Sequence, residues 1–317
     1  MLALAGEMGP DDLVLALVSG GGSSLVTLPA EGLSMEHLRA VNAALLRSGA
    51  PISEMNLVRR HLSSIKGGRL AAACGAASVF TLVVSDVPGD DPAVVASGLT
   101  VPDSTTPADA LQVLQRRDIR VPAAVLDLLE RPAPAPRHGP GRRSVRVVAT
   151  ADMALNAAAA AARRAGLTVI NLGGAVEGES RDVAVAHAGI ARGLRATGQS
   201  GACPFLVLSG GETTVTVRGN GRGGRNAEYL LALALALQGE PGIHALACDT
   251  DGIDGVEDNA GGAIDPDSLR RAGRCGLHPQ ALLDDNDSHA FLAALGDLII
   301  TGPTRTNVND FRAVLIT

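Results

Sequence analysis

Seven short apolar runs along this chain each end in a loop of glycine, serine, threonine or aspartate, and that recurrence constrains the fold more than any other feature. They are LVLALV before SGGGSS, VFTLVV before SDVPGDD, VRVVA before TAD, LTVINL before GGAVEGES, FLVL before SGGETT, IHALA before CDTDGIDG, and LII before TGPTRTN. Helical patterns lie between them. In SMEHLRAVNAALLRSG, Ser34 can cap the start and Gly49 can end the helix. ALNAAAAAARRAG and NAEYLLALALALQ are two more. Strands alternating with helices predict an α/β architecture with largely parallel sheets. In such sheets a ligand binds outside the carboxyl ends of the strands, and the polar loops fall there.

At 317 residues the chain can form two domains or one large one. Aromatics make up 2%, with Tyr229 as the one tyrosine, so the core must be built of Ala, Val, Leu and Ile. So few rings leave no platform for stacking single-stranded nucleic acid, and a net charge of -6 disfavours duplex binding. Lys66 is the only lysine, every other basic side chain being arginine or histidine; codon bias explains the trend and makes the survivor mildly informative. The cysteines (Cys74, Cys203, Cys248, Cys275) show no CxxC pairing, which suggests neither a disulfide framework nor a zinc site and fits a reducing cytoplasm. LLALALAL (230–237) is too short to span a bilayer, and no signal peptide opens the chain. MLALAGEM reads as the end of a helix, so structure upstream of it is expected. RPAPAPRHGPGRR (131–143) is linker-like, and RATGQSGACP (195–204) is the preferred domain boundary.

Six segments carry candidate chemistry. In VSGGGSSL (18–25) consecutive glycines let amides converge on an anion and hydroxyls add donors, making Gly20, Gly21, Gly22, Ser23 and Ser24 a candidate cradle. A plain strand-to-helix turn would use glycine too. In VRRHLSSIKGGRL (58–70), Arg59, His61, Lys66 and Arg69 crowd a helix end that breaks at Gly67 and Gly68. Such cations clamp carboxylates and phosphates, or merely complement the helix dipole. In SDVPGDDP (85–92), followed by SGLTVPDSTT (97–106), Asp86 and Asp90 could hold Mg²⁺ or accept a hydroxyl proton, or could simply form turns.

SGGETTVTVRGNGRGGRNAEY (209–229) is the richest segment. Gly219, Gly221 and Gly224 match the dinucleotide pattern GxGxxG, with Asp249 placed like the ribose-binding acid. Yet TTVTVR alternates as a half-exposed strand does, whereas a dinucleotide fold opens on a continuously apolar strand. With Arg222 inside and Arg225 after it, the segment is expected to be an anion-binding loop with an arginine clamp. Ser209, Gly210, Gly211 and Glu212 would lead into it, and Gly221, Gly223, Gly224 and Asn226 would form it. SGGGSS and SGGETT read as one solution used twice. CDTDGIDG (248–255) resembles a calcium loop, but Ile253 and Ala260 stand where acids are required, leaving a Mg²⁺ or substrate role open for Asp249, Asp251 or Asp254. DNDSHAF (285–291) and TGPTRTNVND (301–310), with Thr301 and Asn307, suit either nucleotide binding or the holding of loops. His61 and His289 are the nearest histidines, and a lone histidine is more often structural.

In this order SGGGSSL, VRRHLSSIKGGRLA, SDVPGDDPAVVASG, LSGGETTVTVRGNGRGGRNAE, DTDGIDG and NDSHAFL with TGPTRTNVND closely resemble the glycerate 2-kinases of the MOFRL type. That family combines a DUF4147 region with a MOFRL domain and is also named hydroxypyruvate reductase. The resemblance covers essentially the whole chain. It implies two α/β/α domains with the active site in the interdomain cleft: residues 1–200 as the remainder of a Rossmann-like N-terminal domain and residues 201–317 as the MOFRL domain. It implies transfer of the ATP γ-phosphoryl group to D-glycerate, giving 2-phosphoglycerate, with Mg²⁺, in the cytoplasm, by a monomer or homodimer. The family's GGRN arginine falls on Arg225 and its SDV aspartate on Asp86; these and Lys66 are the expected catalytic residues, with Asp90 and Asp251 for metal. Family members carry a functional lysine upstream of the SGGG strand, so the chain is expected to be N-terminally truncated, and Lys66 does not inherit that role. Arg305 and Ala227 stand where the family usually shows Gly and Gln. The alternatives are an NAD(P)H-dependent hydroxypyruvate reductase and an inactive truncated homologue.

Overall fold

A computed structural model describes residues 1–131, 139–198 and 204–317. Of the linker-like stretch 131–143 and the expected boundary 195–204, residues 132–138 and 199–203 lie outside the described residues. The chain divides into two compact units, Met1–Val148 and Ala149–Thr317.

In the first unit α1 (Leu2–Gly6) leads to β1 (Leu13–Ser19), α2 (Gly22–Leu25), α3 (Met35–Arg47), α4 (Ile52–His61) and α5 (Arg69–Ala73). β2 (Ser78–Val84), α6 (Pro107–Arg116), α7 (Ala123–Glu130) and β3 (Arg143–Ala149) follow. β1 and β2 pair in parallel from Leu13↔Ser78 to Ser19↔Val84, in a sheet of order β1-β2-β3. Ser34 caps α3 as expected, accepting from the His37 amide while His37 reaches back to the cap, and the chain leaves the helix through left-handed Gly49. α3, α4, α6 and α7 share a core around Leu45, Val58, Val113 and Val125. α1 and α5 bury one side of the sheet through Ala5, Ala71, Cys74 and Val79. Leu13, Leu15 and Leu17 of the edge strand β1 alternate onto the other side and are exposed, Leu17 at 73%.

The second unit runs α8 (Ala151–Arg164), β4 (Thr168–Asn171), β5 (Gly178–Glu179), α9 (Ser180–Gly198), β6 (Phe205–Gly211), β7 (Thr213–Thr214) and α10 (Arg225–Leu237). It continues with β8 (Ile243–Asp249), β9 (Gly261–Ile264), α11 (Ser268–Arg274), α12 (Pro279–Asp284), α13 (Ser288–Leu295), β10 (Leu298–Ile299) and β11 (Asp310–Ile316). This compact unit begins ahead of the boundary expected at 200/201, because β4 pairs with β6 and α8 packs on both. The six-stranded order is β10-β9-β8-β11-β6-β4. β4, β6, β8 and β10 run one way, while β9 and β11 run the other. The α/β expectation of largely parallel strands therefore holds in direction, with the C-terminal strand inserted between β6 and β8. That strand carries Arg312 in its middle, which masks it as an apolar run.

α8 covers one face of this sheet through Leu155 and Ala159 against Leu208 and Ala313. α9 and α10 cover the other against Val207, Ala245, Ala247 and Val314. α10 is apolar nearly all round and buried nearly all round, as that composition requires. Among the described residues no helix is long and apolar enough to cross a membrane. Where α9 meets α10, His187 Nδ1 lies 2.8 Å from the buried Tyr229 hydroxyl, and the Arg312 guanidinium stands 5.4 Å from the Tyr229 ring centroid.

Two outcomes are expected. Replacing the exposed Leu15 and Leu17 together by lysine should leave the far-ultraviolet circular dichroism intact; loss of the folded signal would mean that the face is covered. Burial, then the Arg312 charge, pushes His187 down to about 4 from 6.5. Between those values the unfolded chain binds the extra proton, so His187 destabilises the fold as pH falls, by about 2 kcal/mol at pH 5 relative to pH 7. Asp249, raised by burial, acts oppositely over the same range. The His187 share should therefore appear as the difference in urea-unfolding pH slope between the parent and His187→Gln.

Candidate functional site

The SGGG turn follows directly from β1. Gly20 is required because a Cβ there would stand 1.7 Å from the Asp86 carboxylate, and Gly21 because it turns left-handed at φ 71° into α2. Gly22 has room for a methyl group, its nearest neighbour being Ala96 Cβ at 3.6 Å. Ser24 closes its own turn, donating to the Gly21 carbonyl at 2.7 Å. Ser23 instead faces Lys66, whose Nζ donates to Ser23 Oγ at 2.7 Å and to the Ser23 carbonyl at 3.1 Å.

These groups border a cavity of about 620 Å³ within the first unit, between the SGGG turn, α3, α4 and the loops after β2. Gly21, Ser23, Ser24, Arg59, Lys66 and Asp86 line it. Arg59 donates to Asn56 Oδ1 at 3.1 Å and to Asn42 Oδ1. Lys66 is 7% exposed, and burial, then the Arg59 charge, lowers its pKa. Both cations thus rest on neutral oxygens in a partly apolar chamber, an arrangement that favours an anionic ligand. Asp86 adds one carboxylate to the wall.

His61 and Arg69 do not line this cavity, contrary to expectation. Arg69 donates to the carbonyls of Arg60 and Lys66, and His61 pairs with Thr105 Oγ1 at 2.9 Å beside Asp103, which also takes the Arg60 guanidinium. His61 and Arg60 brace the segment against the 103–105 turn, while Arg69 ties the segment to itself. Asp90 lies on the Asp86 loop, in a left-handed turn outside the cavity wall. Asp251, in the second unit, accepts the Ile253 amide. Among the described residues no three acidic, histidine or cysteine side chains are grouped to hold a metal.

The richest sequence motif proves to be an interlock. The amides of Arg218 and Gly219 donate to Asn286 Oδ1, those of Asn220 and Gly221 to the Asp285 side chain and carbonyl, and that of Arg222 to Asp287 Oδ1. DNDSHAF therefore holds this loop, and residues 218–222 offer no amide to a phosphate. The glycines answer the same contact: a Cβ at Gly219, Gly221 or Gly224 would lie 2.3–2.4 Å from Asp285, Asp287 or Asp254. Gly223 has Ser288 Oγ at 2.2 Å from its virtual Cβ. The start of α10 is filled as well, since Asp254 accepts the Asn226 and Ala227 amides at 2.9 and 2.8 Å.

Arg225, expected to clamp an anion from the ligand, binds carboxylates of its own chain: Asp310 at 2.7 Å, Asp249 at 2.6 Å and Glu212 at 2.9 Å. Arg222 pairs with Glu257. SGGETT is not a second SGGGSS. β6 runs on to Gly211, whose φ of 116° and lack of a side chain let Val176 pass, its carbonyl oxygen 2.3 Å from the virtual Cβ. Ser209 is buried within that strand and Gly210 adjoins Asp310. TTVTVR is strand only at Thr213–Thr214, because the next amides go to side chains, Thr216 to Glu179 and Arg218 to Asn286. Thr301 donates to Gly302 and Asn307 accepts from Asn309, in a loop tied to residues 250–251 through Thr304.

Ser97, Asn42 and Asn56 are cavity residues that the motifs did not single out. Ser97 was present in the segment after SDVPGDDP, without a spacing to mark it; the two asparagines lie on the helices of the core.

Residues 1–130 match the domain of unknown function DUF4147 and residues 205–310 match the MOFRL family. A protein of Agrobacterium vitis provisionally named a hydroxypyruvate reductase is 53% identical over 98% of this chain and 71% of its own length. The D-glycerate 2-kinase of Thermotoga maritima is 39% identical over 100% of this chain and 75% of its own. The crystal structure of a Thermotoga maritima glycerate kinase superposes with a TM-score of 0.90, at 39% identity, covering 100% of this chain and 76% of that one.

The interlock makes the glycines unequal. Gly221→Ala should cost about 1–3 kcal/mol of stability by overpacking against Asp285 and Asp287. Gly22→Ala should unfold in urea as the parent does; equal losses at both positions would contradict this account.

Proposed function

Because the chain belongs to the MOFRL-type glycerate kinase family, we propose that it transfers the γ-phosphoryl group of ATP to D-glycerate, giving 2-phosphoglycerate. The observation that carries this reading to particular residues is a pair of cations, half-buried Arg59 and buried Lys66, resting on neutral partners in one cavity. A 2-hydroxy acid brings the carboxylate that such a pair lacks, and an arginine with a lysine holds it strongly. Ser23 then lies beside the bound acid as a further hydrogen-bonding group.

Phosphoryl transfer asks the protein mainly for positioning and charge neutralisation. Mg²⁺ is held by one or two carboxylates plus phosphate oxygens, so the single carboxylate of Asp86 fits that requirement with ATP present. The ion would neutralise charge on the transferring group. Arg59 and Lys66 hold and orient the acceptor, and the apolar wall of Leu38, Val41 and Leu62 excludes water from it. Arg225, with its charge matched by Asp310, Asp249 and Glu212, organises the acidic end of β11 and β8 in this reading. The dinucleotide alternative loses its binding loop to the interlock at residues 218–222. Cys74, Cys248 and Cys275 are free thiols, in keeping with work in the cytoplasm.

ADP release should depend on D-glycerate, and Lys66→Met and Arg59→Met should each lower kcat/KM about 100-fold or more while the circular dichroism stays unchanged. Oxidation of NADH by hydroxypyruvate without ATP, in place of ADP release, would overturn the kinase reading.

A further inference from the structure

The segment beside Lys66, whose Ser97 and Gly98 carbonyls accept the Gly67 and Gly68 amides, contains three successive left-handed residues, Ala96 at φ 49°, Ser97 at φ 59° and Gly98 at φ 62°. Glycine adopts this conformation freely, while a residue with a Cβ pays for it in steric strain, which persists only where the surroundings impose it. Gly98 has a steric reason to be glycine: a Cβ would sit 2.7 Å from the Ala93 carbonyl oxygen. At position 97 the strained backbone nevertheless carries a side chain. Ser97 is 2% exposed, and its hydroxyl lies 2.9 Å from Ser23 Oγ.

Ser23 belongs to α2, a four-residue helix that has little stability of its own. Its hydroxyl nevertheless has a defined place, between Lys66 Nζ at 2.7 Å and Ser97 Oγ at 2.9 Å. Lys66 donates to Ser23, and the Ser23 and Ser97 hydroxyls share one further hydrogen bond. The result is a short chain of hydrogen bonds, Lys66 to Ser23 to Ser97, whose far end is anchored on strained backbone.

We propose that Ser97 is a positioning residue of the acceptor pocket: its hydroxyl fixes that of Ser23, and Ser23 fixes the Lys66 ammonium that faces the carboxylate of the 2-hydroxy acid. The inference rests on the reading of this cavity as the D-glycerate site. A purely structural serine would only tie residues 96–98 to α2, and its loss would lower stability without touching Lys66.

Two measurements separate these roles. Lys66 is the only lysine in the chain, so acylation by acetic anhydride followed by peptide mass spectrometry reads this side chain alone. In Ser97→Gly, which removes hydroxyl and strain together, labelling of Lys66 at fixed pH should quicken at least threefold. The amine, already biased toward its neutral form by burial, is then no longer held. The thermal midpoint should match or exceed the parent's. The KM for D-glycerate should rise at least tenfold, with that for ATP within twofold. Ser23→Ala should quicken labelling equally, and the double variant should be no faster than Ser23→Ala alone, because the two residues act in series. Unchanged labelling in folded Ser97→Gly, or additive effects in the double variant, would overturn the proposal. If the parent shows no D-glycerate-dependent ADP release, the kinase reading fails, and the labelling experiment still decides whether Ser97 positions Lys66.

Discussion

A charge removed from water must find a partner inside the protein, and both units are organised around how they meet that requirement. In the second unit Asp310 is fully buried at the start of the central strand β11. It takes hydrogen bonds from Arg225, Asn226, Thr213 and Arg312, so the beginnings of β11, α10 and β7 converge on one carboxylate. Asp254 does the same for the first amides of α10. There each arginine has a carboxylate of its own chain beside it. The first unit leaves the matter open: Arg59 and Lys66 face a cavity with amide, carbonyl and hydroxyl oxygens as their partners. That asymmetry is what supports the proposed acceptor pocket in the first unit.

Glycine serves three distinct purposes in the loops that look alike. Gly20 makes room for Asp86, and Gly21 supplies a left-handed turn, so both shape the cavity wall. Gly211 lets the chain at Val176 cross the end of β6. Gly219, Gly221 and Gly224 admit the backbone and side chains of residues 254 and 285–287. Of these glycines, Gly21 lines the cavity that Lys66 faces. A glycine-rich loop signals close approach of something to the backbone, and in the richest loop of this chain that something is the protein itself.

The readable part of the sequence was local. Each of the seven apolar runs contains a strand, Ser34 and Gly49 bound their helix, and the resemblance carried by six ordered motifs identified the family. β11 was missed because Arg312 interrupts its apolar pattern, and β9 because GGAI reads as a turn; both lie in ladders that only partner strands define. In the 59–69 segment the candidates Arg59, His61, Lys66 and Arg69 were indistinguishable as cations, yet the tertiary structure sends Arg59 and Lys66 to the cavity and His61 and Arg69 away from it.

Sequence by itself determined the element pattern, the α/β class and the family, because these follow from periodicity, caps and ordered motifs that act over a few residues. Tertiary structure decided which polar groups remain for a ligand. Residues 285–287 reach back across more than sixty positions to take the amides of 218–222, and Ser97 meets Ser23 across 74. No local rule reports such a meeting, since whether a donor is available depends on what the rest of the chain has already brought to it.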